Sequence, residues 1–161
     1  MSRCNTRVCH SHSTCSQRAG SHCARAVSPI FRPLLPALAR TQVPLKLPTV
    51  FPEAGTRRLY ATLGTAKRGH YIIEIDYTAD CHGANVCHYG DLEGRRAPGT
   101  GKPTGSPVQL GHHVTGYFVL GQCGASCAES TITWDSGRFR YTVGAKVSRA
   151  DLITFVGPAV S

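Results

Sequence analysis

The sequence predicts an α+β domain in which an antiparallel β-sheet is covered on one face by a C-terminal helix. Three observations carry this prediction. Apolar and polar residues alternate in several segments between residues 58 and 147, glycine- and proline-rich segments separate these, and helical spacing occurs only after residue 148. At 161 residues the chain has room for one such domain and a tail.

The N-terminal tail is predicted to be disordered, because residues 1–26 are rich in Ser, Cys, His and Arg and lack hydrophobic periodicity. A metal-binding tract is the alternative, since histidines lie among Cys4, Cys9, Cys15 and Cys23. Their spacings match no standard zinc pattern, so we interpret the segment as a leader without function.

Residues 27–39 resemble a degenerate secretion signal. They end in Ala37, Leu38 and Ala39, the small-x-small pattern of a signal-peptidase site, but Arg32 and three prolines interrupt the apolar core. The segment is too short and too interrupted to span a membrane. We therefore expect a leader at residues 1–39 and one β-rich domain with a C-terminal helix at residues 40–161.

The domain is expected to open with an extended arm, because alternating prolines in residues 43–52 exclude a helix. Leu45, Leu47 and Phe51 of this arm are expected to pack against the sheet. Strands are predicted at residues 58–63, 69–78, 108–110 and 115–120, and a loop is predicted at residues 91–107, where glycine and proline recur.

Residues 130–147 are the clearest hairpin, with a turn around Asp135 to Gly137. An even loop length places Trp134 opposite Phe139 and Ile132 opposite Tyr141, and apolar cross-strand pairing favours this register. The closing helix is predicted from Ser148 as N-cap and Asp151 as its capping-box partner. Its sheet-facing residues are expected to be Leu152, Phe155, Val156 and Ala159.

Four cysteines of the domain are predicted to form two local disulfides, Cys81 with Cys87 and Cys123 with Cys127. Four thiols allow three connectivities, and we favour local pairing because each loop contains glycine and can fold back. The alternative is a zinc site drawn from Cys81, His82, Cys87, His88, Cys123 and Cys127. Spacings of five and three residues are looser than in most structural zinc sites, so no metal is predicted.

No catalytic residue and no cofactor are predicted. Glu74 and Asp76 share a strand face and would suit acid–base work, but a solvated polar face explains them. The histidines at positions 70, 112 and 113 are interpreted as neutral surface residues. The segment from Gly99 to Gly105 departs from the phosphate-loop pattern and is interpreted as a flexible loop.

The formal charge of +9 does not predict a nucleic-acid partner. Five arginines and no acidic residue lie in residues 1–39, and the remaining cations are scattered along the sequence. The aromatic residues alternate with core spacing, which argues against a base-stacking surface.

Several motifs occur here in one order: the proline arm from Val43 to Pro52, the segment from Ala79 to Gly90, Gly116-Tyr-Phe, the loop from Cys123 to Cys127, a tryptophan strand, Tyr141-Thr-Val and a terminal helix. This order resembles a group of small bacterial proteins, many of them cyanobacterial, that are uncharacterised and often carry a secretion signal. The resemblance covers about residues 43–160. It implies an exported, cysteine-bridged domain and transfers no catalytic residue.

The sequence therefore predicts a small extracytoplasmic, non-enzymatic domain, periplasmic or secreted, that binds a protein, an envelope component or a small ligand. The alternative is a small metal-binding or thiol-active protein with cysteine and histidine ligands. The two differ in whether the domain cysteines are oxidised.

Overall fold

The computed structural model describes residues 27–81, 84–99, 101–111, 113–122 and 127–160. These residues form a 3-10 helix (Pro29–Leu34), helix α1 (Leu35–Arg40), seven strands and helix α2 (Arg149–Val160). The strands are β1 (Tyr60–Lys67), β2 (His70–Asp76), β3 (His88–Arg96), β4 (Ser106–Gly111), β5 (Val114–Val119), β6 (Ser130–Ser136) and β7 (Phe139–Ala145).

The seven strands form one sheet in the order β1-β2-β3-β7-β6-β5-β4. Every neighbouring pair is antiparallel. Strands β1 to β3 and β4 to β7 are each continuous meanders, and the two meanders join where β7 pairs with β3. The predicted α+β class, an antiparallel sheet with a C-terminal helix, is confirmed.

The core lies between one face of the sheet and α2, which packs over β4, β6 and β7. Strand β2 directs Tyr71, Ile73 and Ile75 into the core, and α2 contributes its own fully buried set, Leu152, Phe155 and Val156. The predicted capping box forms: Ser148 Oγ accepts the Asp151 N–H at 3.1 Å and donates to its carboxylate. Within the described residues, no helix has the length and apolar character that crossing a bilayer requires.

The N-terminal boundary of the packed domain lies before residue 40. Phe31 and Leu38, both within the segment predicted to be a leader, are 0% exposed and belong to the hydrophobic core. The prolines that weaken this segment as a signal sequence instead occupy its short helices. The predicted tail at residues 1–26 lies outside the described residues.

The proline arm packs on the domain as predicted, with Leu45, Leu47 and Phe51 against the core. Two buried tyrosines fix its path by donating hydrogen bonds to arm carbonyls. Tyr141 reaches Pro44 O at 3.0 Å, and Tyr89 reaches Pro52 O at 2.8 Å.

The prediction of a loop from residue 91 was wrong, because β3 continues to Arg96. Glycine suggested a loop here, yet Gly94 is a strand residue that pairs with Tyr71. A Cβ at position 94 would lie 2.5 Å from ring carbons of Tyr71, so the missing side chain makes room for this buried ring.

The register predicted for the last hairpin was also wrong. The loop has two residues, as an even length requires, but it consists of Gly137 and Arg138, so Trp134 pairs with Tyr141 and not with Phe139. Gly137 has φ +58°, and glycine at the first position of a two-residue loop is typical of a type II′ turn. The error is a shift of two residues, which leaves the apolar face of each strand unchanged.

Candidate metal centre

The sheet face opposite α2 carries a row of polar residues near one end of the strands. Glu74 of β2 pairs with Asp91 of β3, which pairs with Gly144 of β7, and Gly144 pairs with Thr131 of β6. Directly paired residues project from the same side of a sheet, so this row lies on one face. Glu129, immediately before β6, extends the row because it is two residues from Thr131.

A β-bulge brings His88 onto this same face. Ile75 pairs with Gly90 but the next residue, Asp76, pairs with His88, so β3 has one extra residue at this point. In a regular strand, His88 and Asp91 would project to opposite faces, since they are three residues apart. The bulge cancels that alternation, and both side chains reach the polar face.

His88 is surrounded by three carboxylates. Its Nδ1 lies 2.6 Å from Asp76 Oδ1, and its Nε2 lies 3.0 Å from Glu129 Oε1 and 3.5 Å from Asp91 Oδ2. The Asp76 side chain is only 3% exposed and that of His88 10%, whereas Asp91 is 44% exposed. We call Asp76, His88, Asp91 and Glu129 the His88 cluster.

The carboxylates control the protonation of the imidazole. Asp91 and Glu129 at Nε2, with Asp76 at Nδ1, raise the pKa of His88 to about 11, against a smaller lowering from burial. The ring is therefore a cation at neutral pH and holds the carboxylates together by charge.

One carboxylate oxygen of Glu129 is buried and lacks a hydrogen bond from the described residues. Its carboxylate lies over Gly144, where a Cβ would collide with Oε2. Its other oxygen, Oε1, is buried and accepts no well-directed hydrogen bond from the described residues, despite the short distance to His88 Nε2. A buried carboxylate oxygen with a free lone pair is an available ligand for a cation.

The cluster opens into a pocket of about 350 Å³. The pocket is lined by Glu74, Asn85, His88, Asp91, Cys127, Ala128 and Glu129. Three of these residues, Glu74, Asp91 and Glu129, are carboxylates, and His88 is the one basic side chain of the lining. One nitrogen of His88 and one oxygen each of Asp91 and Glu129 lie within 4.8 Å of one another, a spacing that could hold a metal ion.

Asn85 and Cys127, which come from the two cysteine segments, line the pocket. Cys81 and Cys87 form a disulfide, and their loop ends one residue before His88. Lys146 Nζ bonds to Asn85 Oδ1 of this loop at 2.7 Å. Cys127 is disulfide-bonded as well, two residues before Glu129. Its predicted partner, Cys123, lies outside the described residues, as does His82.

The predicted alternative ligand set converges only in part among the described residues. Cys81 and Cys87 are bonded to each other and offer no thiolate, and of the members of that set that the structure describes, His88 alone belongs to the cluster. Glu74 and Asp76 do not form an adjacent solvated pair: Asp76 is buried against His88, while Glu74 lines the pocket. His70, predicted to be a surface residue, lies 2.8 Å from Glu93.

Sequence reasoning missed Asp91 and Glu129. Strand periodicity assigns Asp91 to the sheet face opposite His88. Glu129 lies 41 residues after His88 in the chain. The one local signal was the histidine next to Cys87. Comparison with family models, curated proteins and solved structures found no match, so the site is interpreted from its own geometry.

Proposed function

We propose that this protein is a disulfide-stabilised domain that binds a divalent transition-metal ion outside the cytoplasm. The observation that carries the proposal is the convergence of His88 Nε2 with carboxylate oxygens of Asp91 and Glu129 at an open pocket. One imidazole and two carboxylates are a common kind of protein ligand set for such ions.

The distances suit a first-row metal. Two ligand atoms each about 2.0–2.2 Å from a tetrahedral zinc ion lie roughly 3.3–3.6 Å apart. His88 Nε2 is 3.5 Å from Asp91 Oδ2 and 3.0 Å from Glu129 Oε1. These two separations lie close to that range, and the open side of the pocket leaves a position for water or another ligand.

Asp76 supplies the support that a histidine ligand needs. A metal-bound histidine usually donates its other ring N–H to a carboxylate or carbonyl, which fixes the ring and raises its basicity. Asp76 Oδ1 lies 2.6 Å from Nδ1 and is buried, so Nε2 is the nitrogen directed at the pocket.

The ligand types favour zinc or manganese over calcium or magnesium, because imidazole is a poor ligand for the latter two. Without metal, the imidazolium of His88 offsets part of the negative charge of the three carboxylates. Binding must then displace a proton, so metal and proton compete for the same nitrogen.

The cysteines support the proposed compartment. The Cys81–Cys87 disulfide, together with the disulfide-bonded Cys127, is typical of proteins that fold where thiols oxidise. Since each converging side chain is assigned to the metal or to orienting its ligand, we propose binding and not catalysis as the activity.

The test is stoichiometric metal binding by the oxidised full-length chain. Tail residues Cys4, Cys9, Cys15 and Cys23 are replaced by serine so that they bind no metal. Calorimetry with Zn²⁺ and Mn²⁺ should show one site, and Asp91→Asn with Glu129→Gln should lower the affinity at least a hundredfold. Glu93→Gln, on the same sheet face but bonded to His70, is the matched control and should change it less than twofold. Absence of stoichiometric binding, or equal losses in site and control variants, would overturn the proposal.

A further inference from the structure

The end of the sheet farthest from the His88 cluster carries a row of basic residue types across four strands. Lys67 of β1 pairs with His70 of β2, which pairs with Arg95 of β3, which pairs with Arg140 of β7. The pairing places this row on the same open face as Glu74 and Asp91. These residues are far apart in the sequence, and the register of the strands aligns them in the structure.

Neighbouring turns add further cations. Arg96 N donates to Gly69 O, and Ala97 N donates to Arg138 O, so the β1–β2 turn and the β6–β7 turn are both tied to the end of β3. Arg140 Nη2 bonds to Gly101 O at 2.7 Å, which holds the segment containing Lys102 nearby. We call this surface the basic end; it comprises Lys67, Arg68, Arg95, Arg96, Lys102, Arg138 and Arg140.

The cations of the basic end are largely uncompensated. Among the described residues, ion pairs to this set come from Glu93, at 3.4 Å from Arg95 Nε, and from Asp135. Asp135 forms a bidentate pair with Arg140, which is 8% exposed and therefore holds the surface together rather than contacting a ligand. The exposed members are Lys67, Arg68, Arg96, Lys102 and Arg138.

We infer that the basic end binds a linear polysaccharide bearing carboxylate or sulfate groups. Neighbouring strands lie about 4.8 Å apart, so a surface that extends from β1 to the β6–β7 turn is roughly 15–20 Å wide. That width exceeds a single small anion and suits a polymer with repeated charges. The guanidinium fork matches carboxylate and sulfate oxygens in pairs.

The composition of the surface argues against other polyanions. The large exposed apolar residues of the described chain are Val50, Val86, Val119 and Leu120, and none belongs to the basic end, so nothing there would insert into a membrane. The aromatic residues adjacent to this row in sequence, Tyr71, Phe139 and Tyr141, are buried and offer no face for stacking bases. The choice of polyanion also rests on the compartment proposed above, because a disulfide-bonded domain outside the cytoplasm meets acidic glycans more readily than nucleic acid.

This inference is independent of the metal proposal. Arg95 is four residues from Asp91 on β3, which corresponds to about 13 Å along the strand. The metal centre and the basic end thus lie at opposite ends of the sheet.

Dissociation constants for heparin and alginate, measured with the full-length chain at several salt concentrations, test the inference. Arg96→Ser with Arg138→Ser should weaken binding at least tenfold. Arg58→Ser with Arg149→Ser removes the same charge elsewhere and should change it less than twofold. Arg96→Lys with Arg138→Lys keeps the charge but removes the guanidinium fork, so this pair should bind more weakly than the parent protein and more tightly than the serine pair. A chelator should have no effect.

Three outcomes would overturn the inference. Equal losses in the two serine pairs would mean that only net charge matters. Tighter binding to a DNA duplex or to vesicles of anionic phospholipid, at the same ionic strength, would assign the surface to another polyanion. Loss of binding in chelator would place the glycan at the metal centre instead. Thermal unfolding of each variant checks that the fold persists.

Discussion

The carboxylate of Glu129 lies over Gly144, a residue of the adjacent strand β7 that has no side chain to oppose it. Gly144 does not have a left-handed backbone conformation, so alanine fits the strand itself. The glycine therefore matters here for the space above it and not for its conformational freedom.

Gly144→Ala should displace the Glu129 carboxylate and lower zinc affinity about tenfold, a loss of the size seen when the surroundings of metal ligands are altered. The fold should persist, because the collision involves the flexible end of a side chain. Gly99→Ala, where a Cβ meets nothing within 4 Å, is the control and should bind zinc like the parent protein. Unchanged affinity in Gly144→Ala would mean that Glu129 is not a ligand.

Zinc affinity should keep rising at pH values well above the usual pKa of histidine. Since the pKa of His88 is raised to about 11, binding displaces one proton throughout the neutral range. The association constant should increase about tenfold per pH unit from pH 6 to pH 8. An unperturbed histidine, with a pKa of about 6.5, would give a plateau above pH 7. Calorimetry in buffers of different ionisation enthalpy measures the released proton directly.

The same ion pairs should make metal-free stability depend on pH. The folded-state pKa of His88 is raised above its unfolded value, so the added stability is fully present below about pH 6.5 and is lost as pH rises towards 11. In chelator, the difference in unfolding free energy between the parent protein and His88→Gln should shrink steadily from pH 6 to pH 10. A difference that grows with pH would contradict this sign.

Trp134 should couple energetically to Tyr141 and not to Phe139. The Trp134 and Tyr141 rings stack with centroids 5.4 Å apart, and Trp134 is 1% exposed. Trp134→Ala should cost about 3–5 kcal/mol of unfolding free energy, and a double-mutant cycle with Tyr141 should give roughly 0.5–1.5 kcal/mol of coupling. Thr133→Ala should cost far less. Stronger coupling to Phe139 would restore the register predicted from sequence.

Leu38→Ala should cost about 2–5 kcal/mol, although it lies in the segment that resembles a signal peptide. Leu38 is 0% exposed, and cleavage after Ala39 would remove it together with Phe31. The exposed neighbour Arg40→Ala should change stability little. Urea denaturation of both variants measures this difference, and a negligible loss at Leu38 would mean that the domain does not need the segment.

The sequence by itself determined the elements whose signals are local. Alternation predicted β2 and the last hairpin, and Ser148 with Asp151 predicted the start of α2, because the side chains that decide these features are a few residues apart. The Cys81–Cys87 disulfide was predictable for the same reason, since its loop is short. Strand β3 was harder to predict from the sequence. Its glycines leave space for residues of other strands, as Gly94 does for the Tyr71 ring, and the sequence alone does not show these neighbours.

Only the tertiary structure decided the two charged ends of the sheet. The His88 cluster depends on a bulge that returns His88 and Asp91 to one face, and on the pairing of β3 with β7, which brings Glu129 beside them. The basic end depends on the register that aligns Lys67, Arg95 and Arg140. Charges far apart in the chain converge only through strand order, which is set by burial of the opposite, apolar face. Burial of the apolar face determines on which side of the sheet each residue lies. It does not determine which polar residues of other strands become neighbours, because that depends on the strand order of the folded chain.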